Sequence, residues 1–379
     1  MTGSVVSFAD LIKRGVLVVG DGHRAKLNEL VGGGPLFLRA GALSDSGFDW
    51  AGLDAFHTDL QLDNKRGRIG DVVITTKGNS IGRVGRVPGV APDFVYSPHL
   101  SFWRSVEPEV LDQGYLYYWA RSERFSSQLR QLAFGTDMAP YFSLRDQARL
   151  QISLPSRRDQ QGIAEVLGAL DDKIAANSVA KRTALSLAEA CWVRASLTGD
   201  RMVPLREVAR LDYGKALKAS ERVAGDVMVY GSGGITGSHN IALVDRAGVV
   251  LGRKGTVGST YWASGPHFPI DTTYSVVPLA QLSLEYLYFA LKAMRLGEMN
   301  SDSAVPGLNR DDAYAQMVRV PSSDGIADFS SLVPDLMRAV DGIEGEVTVL
   351  VRARDTLLPL LISRRITIKD AESVVGEVL

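Results

Sequence analysis

The chain has 379 residues, 45% of them hydrophobic, and a formal net charge of −1. That length and apolar content allow more than one buried core, so two or three domains are expected, and near-neutrality excludes a generally basic nucleic-acid coat. A single cysteine, Cys191, excludes an internal disulfide framework and fits a buried structural thiol; the five histidines lack metal-ligand spacing. No stretch nears the ~20 apolar residues of a membrane span, and the first residues show no charged segment followed by an apolar run, so a cytoplasmic protein without membrane contact is expected.

In chain order, Val16-Leu17-Val18-Val19 leads into Gly20-Asp21-Gly22-His23-Arg24-Ala25, which spells a strand and the G-x-G-x-x-A dinucleotide fingerprint. The segment after Ala25 runs at once into Val31-Gly32-Gly33-Gly34-Pro35, leaving no room for the crossover helix that gives the motif its phosphate site, and a polar turn is expected instead. Further on, an apolar strand runs into a Lys-Gly turn at Gly70 to Gly78. The pattern returns at Ala247 to Gly255. Tyr115-Leu116-Tyr117-Tyr118, opening a helix, returns as Tyr286-Leu287-Tyr288-Phe289, and Pro140 to Pro155 returns with equal spacing as Pro306 to Pro321. The order is conserved between the copies, so the chain reads as a duplicated unit.

Each copy hands over to a long helical stripe. In the first, Ile163, Leu167, Leu170, Ile174, Ala184, Ala188, Cys191 and Ala195 recur in alternating steps, with Asn177 and Lys181 as polar interruptions. In the second the stripe is Val333, Leu336, Val340, Ile343, Val347, Leu350, Leu357 and Leu361, interrupted by Arg354. Burying the stripes on each other is the simplest arrangement, and two amphipathic helices on separate cores would show the same periodicity. Acidity gathers in residues 322–379, which hold 10 Asp+Glu against 6 Lys+Arg, so any DNA contact must come from local clusters.

Catalytic equipment is missing from the sequence. There is no G-x-x-x-x-G-K-[ST] phosphate loop and no Asn/Asp-Pro-Pro-aromatic segment of the kind amino-methyltransferases use to hold a target amine. Pro92-Asp93 and Asp171-Asp172-Lys173 are too far apart for a nuclease site, and a solvated helix face explains the second. What remains are turns rich in glycine, hydroxyls and cations: Thr75 to Arg83, Arg253 to Ser259, and Tyr230 to Asn240. Taken singly, each reads as a ligand-free hairpin; two in equivalent places of a repeat favour binding. Lys77, Arg83, Arg253 and Lys254 are therefore expected on phosphates, Asn79, Ser80, Thr256 and Ser232 near base edges, and His239 and Asn240 beside them.

Asp159-Gln160-Gln161-Gly162-Ile163 through Leu170-Asp171-Asp172-Lys173-Ile174 resembles the central conserved region of type I restriction-modification specificity subunits. Gly135-Thr136-Asp137-Met138-Ala139-Pro140-Tyr141, Val229 to Ile235, Gly252 to Gly258 and Asp271-Thr272-Thr273 resemble the target recognition domains of that family. The second helix departs from the pattern, with Ala339-Val340-Asp341-Gly342-Ile343 where the first has Leu-Asp-Asp-Lys-Ile. The resemblance implies an α+β fold with an internal pseudo-twofold repeat: recognition domains at 1–155 and 201–321, and long helices at 156–200 and 322–379 paired as an antiparallel coiled coil that spaces them. It implies a non-catalytic subunit that reads a bipartite double-stranded DNA target. It also implies two methyltransferase subunits docking around Leu170, Asp171, Asp172, Lys173 and Ile174, and restriction subunits beyond them. No cofactor is expected in this chain; S-adenosylmethionine, ATP and Mg belong to the partners. A DNA-binding scaffold with degenerate recognition domains and a stand-alone DNA-modifying enzyme stay open as alternatives.

Overall fold

In the computed structural model, residues 4–26, 29–30, 32–44, 47–55, 62–134, 140–279, 282–300 and 307–379 are described. They form two compact units, one of residues 1–175 with 348–379 and one of residues 176–347. The segment Gly135 to Ala139 that contributes to the family resemblance lies outside the described residues, as does Pro306.

The first unit opens with β1 (Ser4–Ser7), α1 (Phe8–Lys13) and β2 (Leu17–Asp21). Ser7 caps α1, its hydroxyl accepting from the Asp10 N–H at 3.0 Å. Next come β3 (Leu36–Leu38), β4 (Leu43–Ser44), β5 (Gly47–Phe48), β6 (Val72–Thr75), β7 (Val84–Arg86), β8 (Phe94–Tyr96) and β9 (Leu100–Ser105). Helices α2 (Gln113–Ala120), α3 (Glu123–Ala133) and α4 (Leu144–Ala148) lead to β10 (Gln151–Leu154) and then to α5 (Arg157–Leu197). The main sheet is antiparallel with order β2-β9-β6-β7, and β3 pairs with β8 in parallel. No helix follows β2 over residues 22–26. The glycines there serve packing: a Cβ on Gly22 would lie 2.0 Å from the Ser97 carbonyl oxygen, and one on Gly20 would lie 2.4 Å from the Phe102 ring.

The second unit repeats this plan. After β11 (Arg201–Pro204), α6 (Leu205–Val208) and β12 (Ala209–Tyr213) come β13 (Val227–Gly231), β14 (Gly234–His239), β15 (Gly248–Gly252), β16 (Thr260–Ala263), β17 (His267–Pro269) and β18 (Thr273–Pro278). Then follow α7 (Leu284–Ala293), α8 (Arg310–Ala315), β19 (Met317–Val320), α9 (Ser323–Ser363) and α10 (Ile368–Val378). Its sheet order, β12-β18-β15-β16, is that of the first unit, and β13 with β17 reproduces the parallel pair. In both units the strands by which the chain enters and leaves the globular region are zipped antiparallel, β1 to β10 and β11 to β19. A tyrosine locks each exit strand: Tyr115 donates to the Ser153 carbonyl at 2.7 Å, and Tyr286 to the Arg319 carbonyl at 2.8 Å.

Helices α5 and α9 have 41 residues each, ~60 Å at ~1.5 Å per residue. Their stripes do not form a seam apart from the globular regions. In the first unit Ile163, Leu167 and Leu170 join Leu350, Leu357 and Leu361 in one core with Phe8, Val72, Trp103, Tyr115 and Trp119. In the second, Ala188, Cys191 and Ala195 join Phe329, Val333 and Met337 with Leu211, Val249, Tyr274 and Leu287. Within each unit the two helix segments run antiparallel: Asp171 pairs with Arg354 and Ile163 lines one cavity with Leu361, while Lys181 pairs with Glu344 and Arg194 with Asp328. Leu336, Ile343 and Val347 are only half-buried, and Phe329 and Met337 take the deeper places, because the globular core broadens the buried face beyond one stripe.

The buried polar groups are satisfied where they matter most for the sheets. Asp71, 1% exposed, accepts from Arg104 through two nitrogens at 2.6 Å, from the Tyr96 hydroxyl at 2.8 Å and from the Arg68 N–H at 2.9 Å. Burial and the Asp71 charge hold the Tyr96 hydroxyl far above its usual range, so it stays a donor. No helix among the described residues is long and apolar enough to cross a membrane.

Candidate nucleic-acid interface

Strands β6 and β15 are buried along their whole length, and each ends in a turn that returns the chain to its hairpin partner. In the first unit the turn holds Gly78 at φ +83° and Gly82 at φ +84°, the left-handed region that favours glycine. It is closed by Gly82 N–H on the Thr75 carbonyl at 2.8 Å and by Arg83 N–H on the Ser80 carbonyl at 3.0 Å. Lys77 and Asn79 are exposed, Ser80 is half-buried, and Arg83 donates to the Leu43 carbonyl at 3.0 Å. Lys77 also forms a backbone bridge to Tyr141, an exposed residue.

The second unit builds the same turn with Gly255 at φ +80° and Gly258 at φ +74°. Lys254 bridges Gly307 as Lys77 bridges Tyr141, so the two lysines occupy one structural position. Ser232, from the β13–β14 turn, is drawn in: its carbonyl accepts from the Ser259 hydroxyl at 2.5 Å and from the Tyr261 hydroxyl at 3.2 Å. Arg253, Lys254, Thr256 and Ser232 thus gather in one place. His239 and Asn240 do not join them; His239 is buried at the far end of the hairpin, with Nδ1 accepting from the Val223 N–H at 3.1 Å.

Arg253 is fixed by its backbone, with its N–H on the Thr272 carbonyl at 2.9 Å and its own carbonyl accepting from Leu308 at 2.8 Å. Its guanidinium carbon lies 4.9 Å from the Tyr213 ring centre and 5.8 Å from that of Tyr274. Arg310, at the start of α8, lies 5.0 Å from the same Tyr213 ring. Each such contact contributes ~0.5–1 kcal/mol at an exposed site and limits where the cation can point. Neither arginine, nor Lys77 or Lys254, has an ion-pair partner among the described residues. Tyr213 and Arg310 escape a linear reading because they are 97 positions apart and meet only where α8 seats beside β12, the Leu211 N–H donating to the Tyr314 hydroxyl at 2.9 Å. The repeated Pro-to-Pro segment beside each Lys-Gly turn was the available pointer to Arg310 and Tyr141.

The residues expected to hold partner subunits are mostly spent inside the first unit. Leu170 is fully buried and Ile174 packs against the same core. Asp171 accepts from Tyr118 at 2.9 Å, Arg121 at 3.0 Å and Arg354 at 2.9 Å. Lys173 is half-buried, and Asp172 is exposed. In the second helix Asp341 sits at the corresponding place. It accepts from the Trp262 indole at 2.9 Å, and burial, with Glu344 and Glu285 nearby, pushes its carboxyl up to about 6 despite that bond.

No protein-family model matches the sequence, and no curated protein matches it either. Among solved structures, a type I restriction-modification system S subunit from M. genitalium is 19% identical, with a TM-score of 0.63 over 94% of this chain and 95% of that one. The chain has the fold of a type I S subunit. The HsdS subunit from Thermoanaerobacter tengcongensis also matches, 15% identical over 95% of each chain with a TM-score of 0.36. In this S-subunit fold the Lys-Gly turns stand at one corner of each main sheet, at the end of the third strand in sheet order.

Proposed function

We propose that this chain is the DNA-specificity subunit of a type I restriction-modification complex. The observation that carries the reading is the repeated turn: two units of the same topology each hold, at one structural position, an exposed lysine with no ion-pair partner among the described residues, anchored by the same backbone bridge. Unpaired cations beside amides and hydroxyls suit phosphates, and the neighbouring side chains suit base edges. Residues 1–155 and 201–321 are the recognition domains, and 156–200 and 322–379 are the helices to which two methyltransferase subunits dock. Lys77, Asn79, Ser80, Ser232, Arg253, Lys254 and Thr256 form the DNA-facing set, joined by Tyr213 and Arg310. Arg83 keeps a place at its edge, while His239 and Asn240 lie away from it. The chain itself is non-catalytic: methyl transfer with S-adenosylmethionine, and ATP- and Mg-dependent cleavage, belong to partners in the same cytoplasm.

Methylation-site mapping tests this. Host DNA from cells holding the methyltransferase subunit should be methylated at one bipartite sequence when this chain is present and unmethylated there when it is not. An unchanged methylation pattern overturns the proposal, and methyl transfer by the purified chain alone would replace it with an enzyme.

A further inference from the structure

The two units share a topology, and their registers identify which residues correspond at the interface. Asp21 ends β2 opposite Ser101, as Tyr213 ends β12 opposite Tyr274. The lysine bridges align Lys77 with Lys254, hence Thr76 with Arg253, and the caps Ser143 and Asn309 align Leu144 with Arg310. Tyr213, Tyr274, Arg253 and Arg310 of the second unit thus stand where the first has Asp21, Ser101, Thr76 and Leu144. Asp21 is moreover neutralised by an ion pair with Lys65.

The second unit therefore holds something the first does not. Two guanidiniums converge on the ring of Tyr213, a residue 49% exposed, at 4.9 and 5.0 Å from the ring centre, with no carboxylate partner among the described residues. The Arg310 Nε is also buried without an acceptor. Like charges brought together repel unless an anion lies between or beside them. A phosphodiester is the anion that duplex DNA presents, and the planar guanidinium fork matches its oxygens. Arg253 also donates to the Asp271 carbonyl at 3.0 Å, which fixes its side chain and leaves the other donors for a ligand.

We infer that the two halves contribute unequally: Arg253 and Arg310, held on Tyr213, form a clamp in which each arginine takes one of two neighbouring phosphodiesters, and this anchors the second unit, whereas the corresponding positions of the first unit, Thr76 and Leu144, carry no cation. This rests on the DNA-binding reading above, and it adds which half supplies most of the salt-dependent affinity.

The test uses the full chain assembled with its methyltransferase subunits and a fluorescent duplex bearing the mapped bipartite site. Affinity is measured across a salt series, with a scrambled duplex in parallel. Failure of the unmutated complex to bind any duplex would strike the DNA-binding reading itself, before any variant is made. Given binding, Arg253→Gln with Arg310→Gln should lower the log–log salt slope by ~1.8, because each phosphate contact contributes ~0.9, whereas Lys77→Gln should lower it by ~0.9. Affinity for site and scramble should fall by the same factor, since phosphates carry no sequence. Arg253→Lys with Arg310→Lys should restore most of the slope by keeping the charge, which separates loss of the clamp from misfolding. An unchanged slope in the double Gln variant overturns the inference, as does a loss confined to the mapped site or one no larger than that of Lys77→Gln.

Discussion

Replacing Asp171 with Asn distinguishes a carboxylate that holds the unit together from one reserved for a partner. Asp171 accepts three hydrogen bonds, two of them from the arginines Arg121 and Arg354, and its side chain is 24% exposed against 22% and 15% for theirs. Asn keeps one carbonyl acceptor but turns an NH2 toward a guanidinium, removes the counter-charge of Arg121 and leaves Arg354 with Asp355 alone. Breaking a fully buried pair costs ~3–5 kcal/mol and losing a charged hydrogen bond ~1.5–3, so with partial exposure the expected loss is ~2–3 kcal/mol. The first unit is of a size where each kcal/mol moves Tm by ~2–4 °C, so its transition should fall by roughly 4–12 °C. Scanning calorimetry reads the two units' transitions, and only one should move. Asp172→Asn, on an exposed carboxylate, should leave Tm in place and weaken methyltransferase-subunit docking instead. If Asp171→Asn melts like the unmutated chain yet fails to assemble, the carboxylate is a partner contact and the hub reading is wrong.

Three further outcomes are expected. Leu170→Ala, at a fully buried position, should destabilise the first unit by ~2–5 kcal/mol in urea titration; a loss below ~1 kcal/mol would show that the helix stripe is not part of that core. Asp341 has its folded-state pKa raised from 3.8 to about 6, so the folded state favours the protonated form: that stabilisation is complete below the unfolded pKa and is lost as pH rises through about 6. Asp341→Asn keeps the acceptor for Trp262 without the charge, so its Tm advantage over the unmutated chain should grow across that interval and then level off, and a pH-independent difference would count against a raised carboxyl. Lys254→Gln should lower the salt slope of DNA binding by ~0.9 and weaken all duplexes alike, and a sequence-dependent loss would place the lysine on a base.

What could be read from the sequence was what repeats or recurs with a period. The helices at 157–197 and 323–363 follow from stripes that return every three or four residues, and the duplication follows from segments such as Tyr115 to Tyr118 that recur in order. The turns at Lys77 and Lys254 were legible because Gly, Lys and hydroxyls are clustered locally. Contacts joining distant chain segments leave no such trace. Arg354 reaches Asp171 across 183 residues, which is why a carboxylate legible as part of a partner motif proves to be a hub inside the unit. Tyr213 and Arg310 meet only once β12 is placed against β18 and α8 is seated beside it. Where the first unit has the eleven-residue α3, the described residues after α7 in the second hold a five-residue 3-10 helix, Leu296–Asn300, so the sheet is matched more strictly than its cover.

The zipped strand pairs β1–β10 and β11–β19 bear on how such a chain can change. Because each pair fixes the two ends of a globular region side by side, the intervening chain is a closed loop, and lengthening a closed loop adds entropy cost only logarithmically, ~0.6 kcal/mol per doubling. Insertions and deletions between the zips therefore leave the ladder and the start of the following helix where they are. Each region behaves as a cassette: it can be exchanged at the boundaries 4–7 and 151–154, or 201–204 and 317–320, as long as the replacement brings its own pair of mating strands. The tyrosine that locks the exit strand travels inside the cassette, so a graft made at those strands carries its own fastening.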